Sequence, residues 1–324
     1  MRLVAGDIGG THTRLAIVEG GELSALRTLQ SQRYAGLEDA LEVFLAEVGV
    51  EAGSIDAAAF GIAGPVTGEL VQVTNLPWTV DAGVLARTLK TDAIRLLNDL
   101  EAAAFGLDRL GPEDTHTLQG GAREAQGPVV LIGAGTGLGK AVRVPRGATE
   151  PLVLRSEGGH ASFAPASPED DALLSWLRQR KAHVSVEDVV SGPGLAALFA
   201  FLRARSKPDP SSGPPLDAAG VTLAAQAGDP TAALALERFA RLYGAEAGNL
   251  ALNVLPRGGL YVTGGVAPRL RGVMGERFDA LFLEGMRAKG RMATLLGTVH
   301  VELVVQPLLP LLGAASAAGR LARP

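Results

Sequence analysis

Cysteine is absent from the 324-residue chain, and that absence excludes disulfide frameworks, thiolate zinc sites, thiol nucleophiles and iron–sulfur clusters. It suits a reducing compartment, and the expected location is cytoplasmic. An excess of one charge is missing too: 30 Lys and Arg face 34 Asp and Glu, with no block of like charge. Without a basic stripe there is no electrostatic footprint for nucleic acid. Long apolar runs are also lacking, because the best of them is broken by Pro307, Pro310 and Gly313 before the ~18 residues a membrane helix needs. Neither nucleic acid nor membrane is expected as a partner. The opening Met1-Arg2-Leu3-Val4-Ala5-Gly6-Asp7 shows no signal-peptide pattern, so a strand is expected at once.

What the chain has in excess is glycine. Its 42 glycines are about 13% of the chain against a usual ~7%. Gly and Pro together stay short of the ~25–30% that marks disorder. Short apolar runs alternate with helix-period segments: strands are expected over 3–8, 14–18, 55–62 and 93–97. Leu37, Leu41, Phe44, Leu45 and Val48 share one helical face, and Asp99–Leu107 is expected to be helical. This is an α/β pattern. A polar, Gly-rich stretch over 108–128 suggests a domain boundary, after which the strand 128–133 opens a second half. Helices follow: Ser167-Pro168-Glu169-Asp170 starts one, 194–205 forms another, and 231–253 places Leu234, Phe239, Leu242 and Leu250 in register. Ser206–Pro215 is expected to be a surface loop. Strands at 259–263 and 300–305 precede an Ala-rich closing helix expected to return to the first domain.

One internal echo stands out. LVAGDIGGTHTRLAIV (3–18) and VVLIGAGTGLGKAVRV (129–144) both read as strand, Gly/Thr turn, strand. Such turns expose backbone N–H groups that bind anions, and glycine permits positive φ and close approach of phosphate. Neither standard phosphate motif fits. A P-loop ending at Gly139-Lys140 would need Gly at 134 and Ser or Thr at 141, and both are Ala. A Gly-x-Gly-x-x-Gly fingerprint started at Gly133 or Gly135 ends on Leu138 or Lys140. A single Gly-rich turn is more often a plain hairpin; two, with Asp7, Thr11 and Thr136 attached, suit Mg²⁺ and phosphate oxygens.

Candidate chemistry lies elsewhere. Asn98-Asp99 sits where a strand gives way to a helix, the ligand side of an open α/β sheet, although Asp99 taken alone is better read as the N-cap of a helix over 100–107. Glu157-Gly158-Gly159-His160 sets a carboxylate and an imidazole across two glycines, where a lone His would be structural. Glu187 precedes Ser191-Gly192-Pro193-Gly194 and could equally be a solvated helix-start acid. Together these donors and bidentate acceptors suit a polyol. Joined to a phosphate grip, they imply phosphoryl transfer to a sugar hydroxyl.

The segments DIGGTHTRLA (7–16), GIAGPVTG (61–68), TNLPW (74–78), NDLEAAAFG (98–106), GAGTGLG (133–139), EGGHASFAP (157–165), VSGPGL (190–195) and YVTGGVAPR (261–269) resemble the bacterial ATP-dependent glucokinase family. The resemblance implies an α/β, two-domain actin-like ATPase (ribonuclease H-like) fold with a duplicated core and an interdomain cleft. It further implies a small domain of 1–109 plus 301–324 and a large domain of 110–300. The implied reaction moves the γ-phosphate of MgATP to the 6-hydroxyl of D-glucose, as the first step of glycolysis. A broader hexokinase taking mannose or fructose, or a non-catalytic sugar sensor, are the alternatives.

By the resemblance Asp99 is the catalytic base, and Asn98, Glu157, His160 and Glu187 contact glucose. Gly9, Gly10 and Thr11 form the first phosphate loop, with Asp7 near Mg²⁺, and Gly135, Thr136 and Gly137 form the second. Gly264 and Gly265 make the adenosine-side turn. Two positions depart from the family pattern: His12, where Asn is frequent, and Lys140, where a small or apolar residue is common. The related repressor, open-reading-frame and kinase (ROK) family carries a cysteine-rich zinc motif, which a chain without cysteine cannot hold, so ATP and Mg²⁺ without zinc are expected. A homodimer is the family expectation.

Overall fold

The computed structural model describes residues 1–66, 68–206 and 215–322, so residues 207–214 of the expected Pro/Ser loop and Thr67 of the 61–68 segment lie outside the described residues. Contacts divide the chain into two units, Met1–Glu113 with Leu308–Pro324, and Asp114–Pro307.

The first unit begins with an antiparallel meander of β1 (Arg2–Ile8), β2 (His12–Glu19) and β3 (Glu22–Gln30). After α1 (Leu37–Val48) comes β4 (Ala57–Ile62), which joins β1 in parallel. A small hairpin of β5 (Leu70–Gln72) and β6 (Thr79–Asp81) and helix α2 (Ala82–Leu89) lead to β7 (Ile94–Asn98), parallel to β4, and then α3 (Asp99–Gly106). The sheet order is β3-β2-β1-β4-β7. Strand β4, AAAFGI, is buried along its whole length, as a strand covered on both faces must be. Helix α1 buries Leu37, Leu41, Phe44 and Leu45 and stops at Gly49, whose φ of 67° closes it in the left-handed region.

The second unit repeats this plan. β9 (Val129–Ala134), β10 (Leu138–Arg146) and β11 (Thr149–Ser156) form the meander, preceded in the chain by β8 (Thr115–Gln119). Helices α4 (Pro168–Arg178), α5 (Gly192–Ser206), α6 (Ala218–Gln226) and the long α7 (Pro230–Val254) follow. Then β12 (Gly259–Thr263) joins β9 in parallel, α8 (Val266–Met274), α9 (Glu276–Arg287) and α10 (Ala293–Leu296) intervene, and β13 (Val301–Val304) lies parallel to β12. The order β11-β10-β9-β12-β13 matches the first sheet strand for strand in neighbour and direction, and β8 adds an antiparallel edge beside β13. The echo read in the sequence is therefore a duplicated five-stranded core.

Three elements depart from expectation. β3 shows no apolar alternation because it is an edge strand exposed along most of its length. β8 lies inside the stretch taken as polar linker, since its pairing with β13 needs backbone groups and little apolar surface. In α7 the buried stripe is Ala232, Ala235, Leu236, Phe239, Ala240, Tyr243, Glu246, Ala247 and Leu250, whereas Leu234 is 42% exposed. Alanines and glycines, which add little to an apolar count, carry that face.

Helix packing in both units is close enough to bring backbones together. The closing helix Leu309–Leu321 lies on α3, where a Cβ on Gly313 would fall on the carbonyl oxygen of Ala102 and one on Gly106 would fall on that of Leu309. Even the smallest added side chain must push the pair apart. Gly313→Ala is expected to cost ~1–3 kcal/mol or more by overpacking. Thermal denaturation checks this, and an unchanged midpoint would show that the helices do not meet so closely.

Candidate active site

In the first unit, the turn between β1 and β2 is closed by the Gly9 N–H donating to the His12 carbonyl at 3.0 Å. Ser31 supports it from below, its hydroxyl donating to the Gly9 carbonyl at 2.8 Å and its N–H to that of Thr11 at 3.1 Å. The glycines here do not have positive φ. They are required for space, since a Cβ on Gly10 would stand 3.1 Å from the Thr74 carbonyl oxygen. Asp7, one residue before the end of β1, pairs with Arg14 at 2.8 Å across the hairpin. Burial pushes its carboxyl above the usual range, and the Arg14 guanidinium offsets that only in part.

Asn98 and Asp99 divide two roles at the start of α3. The cap is Asn98, whose Oδ1 accepts the Leu100 N–H at 3.0 Å while Glu101 reaches back to the Asn98 N–H at 3.3 Å. The Asn98 amide also donates to the Gly64 carbonyl at 3.1 Å. Asp99 is the first helical residue and its Oδ1 accepts the Leu100 N–H at 2.8 Å. The N-cap alternative for Asp99 is thus filled by its neighbour.

In the second unit the turn Gly135–Gly137 is closed by the Gly135 N–H donating to the Gly137 carbonyl at 2.8 Å, and the Gly135 carbonyl accepts the Gly192 N–H at 2.7 Å. As in the first hairpin, Gly135 and Gly137 lack positive φ. Glu187 explains Gly137: its Oε2 accepts the Leu138 N–H at 2.7 Å and lies 2.5 Å from where a Gly137 Cβ would stand. The other oxygen of the same carboxylate is 4.0 Å from His160 Nδ1. Among the described residues, the amides of Gly10, Thr11, Thr136 and Gly137 donate to no protein acceptor. Both turns therefore offer what an anionic ligand needs.

Glu157 leads into a single 3-10 turn, Gly158–His160, and both Glu157 and His160 are exposed. The segment after it runs beside 184–187: Val186 N–H donates to the Ala161 carbonyl at 2.9 Å and Glu187 N–H to that of Gly159 at 3.0 Å. That pairing, invisible in sequence spacing, brings Glu187 to His160. Gly264, at φ +83°, crosses the end of β9, where a Cβ would fall on the Ala134 carbonyl. Gly265 beside it faces open space.

Tyr243 of α7 was not anticipated, and it holds this end of the sheet together. Its phenol, fully buried, accepts the Ala134 N–H at 2.9 Å and lies 3.2 Å from the Ile132 carbonyl and 3.3 Å from that of Thr263. One hydroxyl thus ties together β9 and β12 just before the Gly135 and Gly264 turns. Burial also raises the phenol's pKa, which keeps it a proton donor. Its signal in the sequence is a tyrosine on the apolar stripe of a long helix, which gives no hint of its partners. Arg14 and Ser31 were also not anticipated, being a strand cation and a polar residue remote in sequence from the turn.

Two α/β units with the same strand order, each carrying a Gly-turned hairpin with unpaired amides, define the actin-like ATPase fold. A family profile described as Glucokinase matches residues 4–321. The glucokinase of Synechocystis sp. is 36% identical over 352 aligned positions, covering 99% of this chain and 98% of its own. A glucokinase from an Antarctic psychrotroph, solved by crystallography, superposes with a TM-score of 0.83 at 31% identity, over 98% of this chain and 99% of that one. The glucose complex of Balamuthia mandrillaris glucokinase shares the fold, with a TM-score of 0.80 at 21% identity, covering 98% and 93%. The chain belongs to the glucokinase family.

Removing the Tyr243 hydroxyl leaves the buried Ala134 N–H without its acceptor. Tyr243→Phe is expected to destabilise the protein by ~1–3 kcal/mol. Denaturant unfolding measures it, and a change within ±0.5 kcal/mol, the scatter of inert surface substitutions, would mean the phenol is dispensable.

Proposed function

We propose that this protein is an ATP-dependent glucokinase that transfers the γ-phosphoryl group of ATP to the 6-hydroxyl of D-glucose. The observation that carries this reading is Glu187. One carboxylate bonds the backbone of a phosphate-type turn through Leu138 and approaches His160 of the polyol-type turn, joining the two recognition chemistries within one unit.

Asn98, Glu157, His160 and Glu187 would hold the sugar hydroxyls. The Asn98 side chain is committed through its capping bond and its bond to Gly64, so it presents a fixed geometry, whereas Glu157 and His160 are exposed and adaptable. Asp99 would accept the proton of the attacking hydroxyl. The amides of Gly10, Thr11, Thr136 and Gly137 would neutralise phosphate oxygens, and Gly264 and Gly265 would leave room for the nucleoside. Transfer through a loose transition state depends on such positioning more than on a strong base.

A metal is part of the proposal. Among the described residues no group of three or more His, Asp or Glu could hold one on protein ligands alone. Asp7 supplies a single half-buried carboxylate at the foot of the hairpin, the donor set expected for Mg²⁺ carried on nucleotide phosphates and waters. Arg14 occupies Asp7 Oδ2, so contact through water or phosphate suits the site better than direct ligation. When bound, Mg²⁺ would neutralise charge on the transferring phosphoryl group. The same proposal takes the enzyme as a zinc-free, cytoplasmic homodimer, on family resemblance. Among the described residues no helix is long and apolar enough to cross a membrane.

Formation of glucose 6-phosphate from ATP and glucose, followed by a coupled assay, tests the activity. Asp99→Ala is expected to lower kcat by ~10²–10⁴-fold, the usual span for a lost general base. Full turnover in that variant would remove Asp99 from the mechanism. Glu157→Gln is expected to weaken glucose binding more than ATP binding, and calorimetry giving the reverse order would move Glu157 to the nucleotide.

A further inference from the structure

A buried ion pair lies directly beneath the Glu157–His160 turn. Lys140, on β10 and 6% exposed, pairs with Glu246 of α7, 8% exposed. Taking two charges out of water is costly and rarely repaid in stability alone. The site of the pair suggests what it does. The Lys140 ammonium also donates to the Gly158 carbonyl at 2.8 Å. A Cβ on Gly158 would stand 3.1 Å from Lys140 Cδ and 3.3 Å from its Nζ, so the lysine side chain runs against the turn itself.

Every carbonyl of the turn is held, each from a different place. Glu157 accepts from His160 N–H at 3.0 Å, Gly159 from Glu187 N–H at 3.0 Å, and His160 from the His183 imidazole at 2.9 Å. Gly158 accepts the buried cation at 2.8 Å, a closer bond than the one from the Ala161 N–H at 3.3 Å. That cation is itself fixed: the second oxygen of Glu246 accepts from the Asn249 amide at 2.8 Å, and Asn249 Oδ1 accepts from Lys289 at 2.7 Å. A chain of charge-assisted bonds thus runs from α7 and Lys289, two residues beyond α9, to the middle of the turn.

We propose that Lys140 is a positioning residue for the sugar: anchored by Glu246, it fixes the Gly158 carbonyl and with it the spacing of Glu157 and His160. This rests on reading Glu157 and His160 as glucose-binding groups. A charged donor aimed at one carbonyl fixes the turn more firmly than a neutral contact. Because the clamp lies under the sugar turn and touches neither Gly135–Gly137 nor Gly264, its loss falls on glucose and spares ATP.

The test is steady-state kinetics with both substrates varied, on the wild type, Lys140→Met/Glu246→Met and Glu246→Gln. The double variant replaces the pair with apolar side chains of similar length, an exchange that buried ion pairs often tolerate. Its glucose KM is expected to rise about tenfold, the order of one lost charge-assisted hydrogen bond, with the ATP KM within twofold of wild type. Glu246→Gln keeps the shape and loosens the anchor, and a glucose KM raised about two- to fivefold is expected. Unchanged glucose KM in either folded variant, or equal rises for glucose and ATP, would overturn the proposal in favour of a purely structural pair. Should the double variant not fold, Glu246→Gln alone decides. An active wild type with unmoved variants defeats this inference alone, whereas a wild type without glucose-dependent ATP turnover defeats the functional reading and this inference with it.

Discussion

Backbone contact between helices is the constraint on which the second unit's site depends. Along α7 and α9, a Cβ on Gly244 would fall on the Phe282 carbonyl, one on Gly248 on that of Met286, and one on Gly285 on that of Arg241. Helices this close have no freedom to slide or roll, because every small rotation drives backbone into backbone. Tyr243 and Glu246 leave the same turn of α7 as Gly244. The first reaches the strand ends that carry the Gly135 and Gly264 turns, and the second reaches Lys140 beneath the Gly158–His160 turn. A glycine contact on one side of a helix therefore fixes the aim of a phenol and a carboxylate on the other.

The duplication shows how one architecture carries two electrostatic characters. In the first hairpin, Asp7 faces Arg14 across the ladder, a charged pair at the foot of the turn. At the matching height of the second hairpin, Gly133 faces Gly139. Charge reaches that turn from elsewhere, through Glu187, and space for it exists only because position 137 lacks a side chain. The first turn has its carboxylate built in, while the second borrows one from a segment roughly fifty residues downstream. The other oxygen of the borrowed carboxylate lies 4.0 Å from His160 Nδ1, so one group reaches two turns.

The parts legible in the sequence were those that announce themselves locally. Two strand–turn–strand echoes, the Ser167 cap and the face of α1 follow from residue type and spacing. The 98–99 pair does stand at the strand-to-helix junction, but the cap read onto Asp99 falls one residue earlier, on Asn98, because Asn and Asp are equally good caps and only the bonds to Leu100 and Gly64 decide. Glycine in these turns permits positive φ or close approach; in the structure Gly9, Gly10 and Gly137 serve close approach, Gly264 has positive φ, and Gly135 faces open space. Tyr243, Arg14 and Ser31 were illegible for one reason. Their partners lie across strands or about a hundred residues away, and nothing in their own neighbourhood distinguishes them from ordinary core, surface or loop positions.

The first unit is assembled from both ends of the chain, and this imposes an order on synthesis. On α3, Gly106 and the Ala102 carbonyl are met by the helix Leu309–Leu321. A ribosome delivers that cover about two hundred residues after the face it must meet. Asp114–Pro307 is by then complete, so the second unit is free to finish folding first although its strands are made later. Until that helix emerges, β1, β4 and α3, the elements that hold Asp7 and Asp99 in place, lack the element that packs on them, and a nascent chain at that stage leaves that surface uncovered.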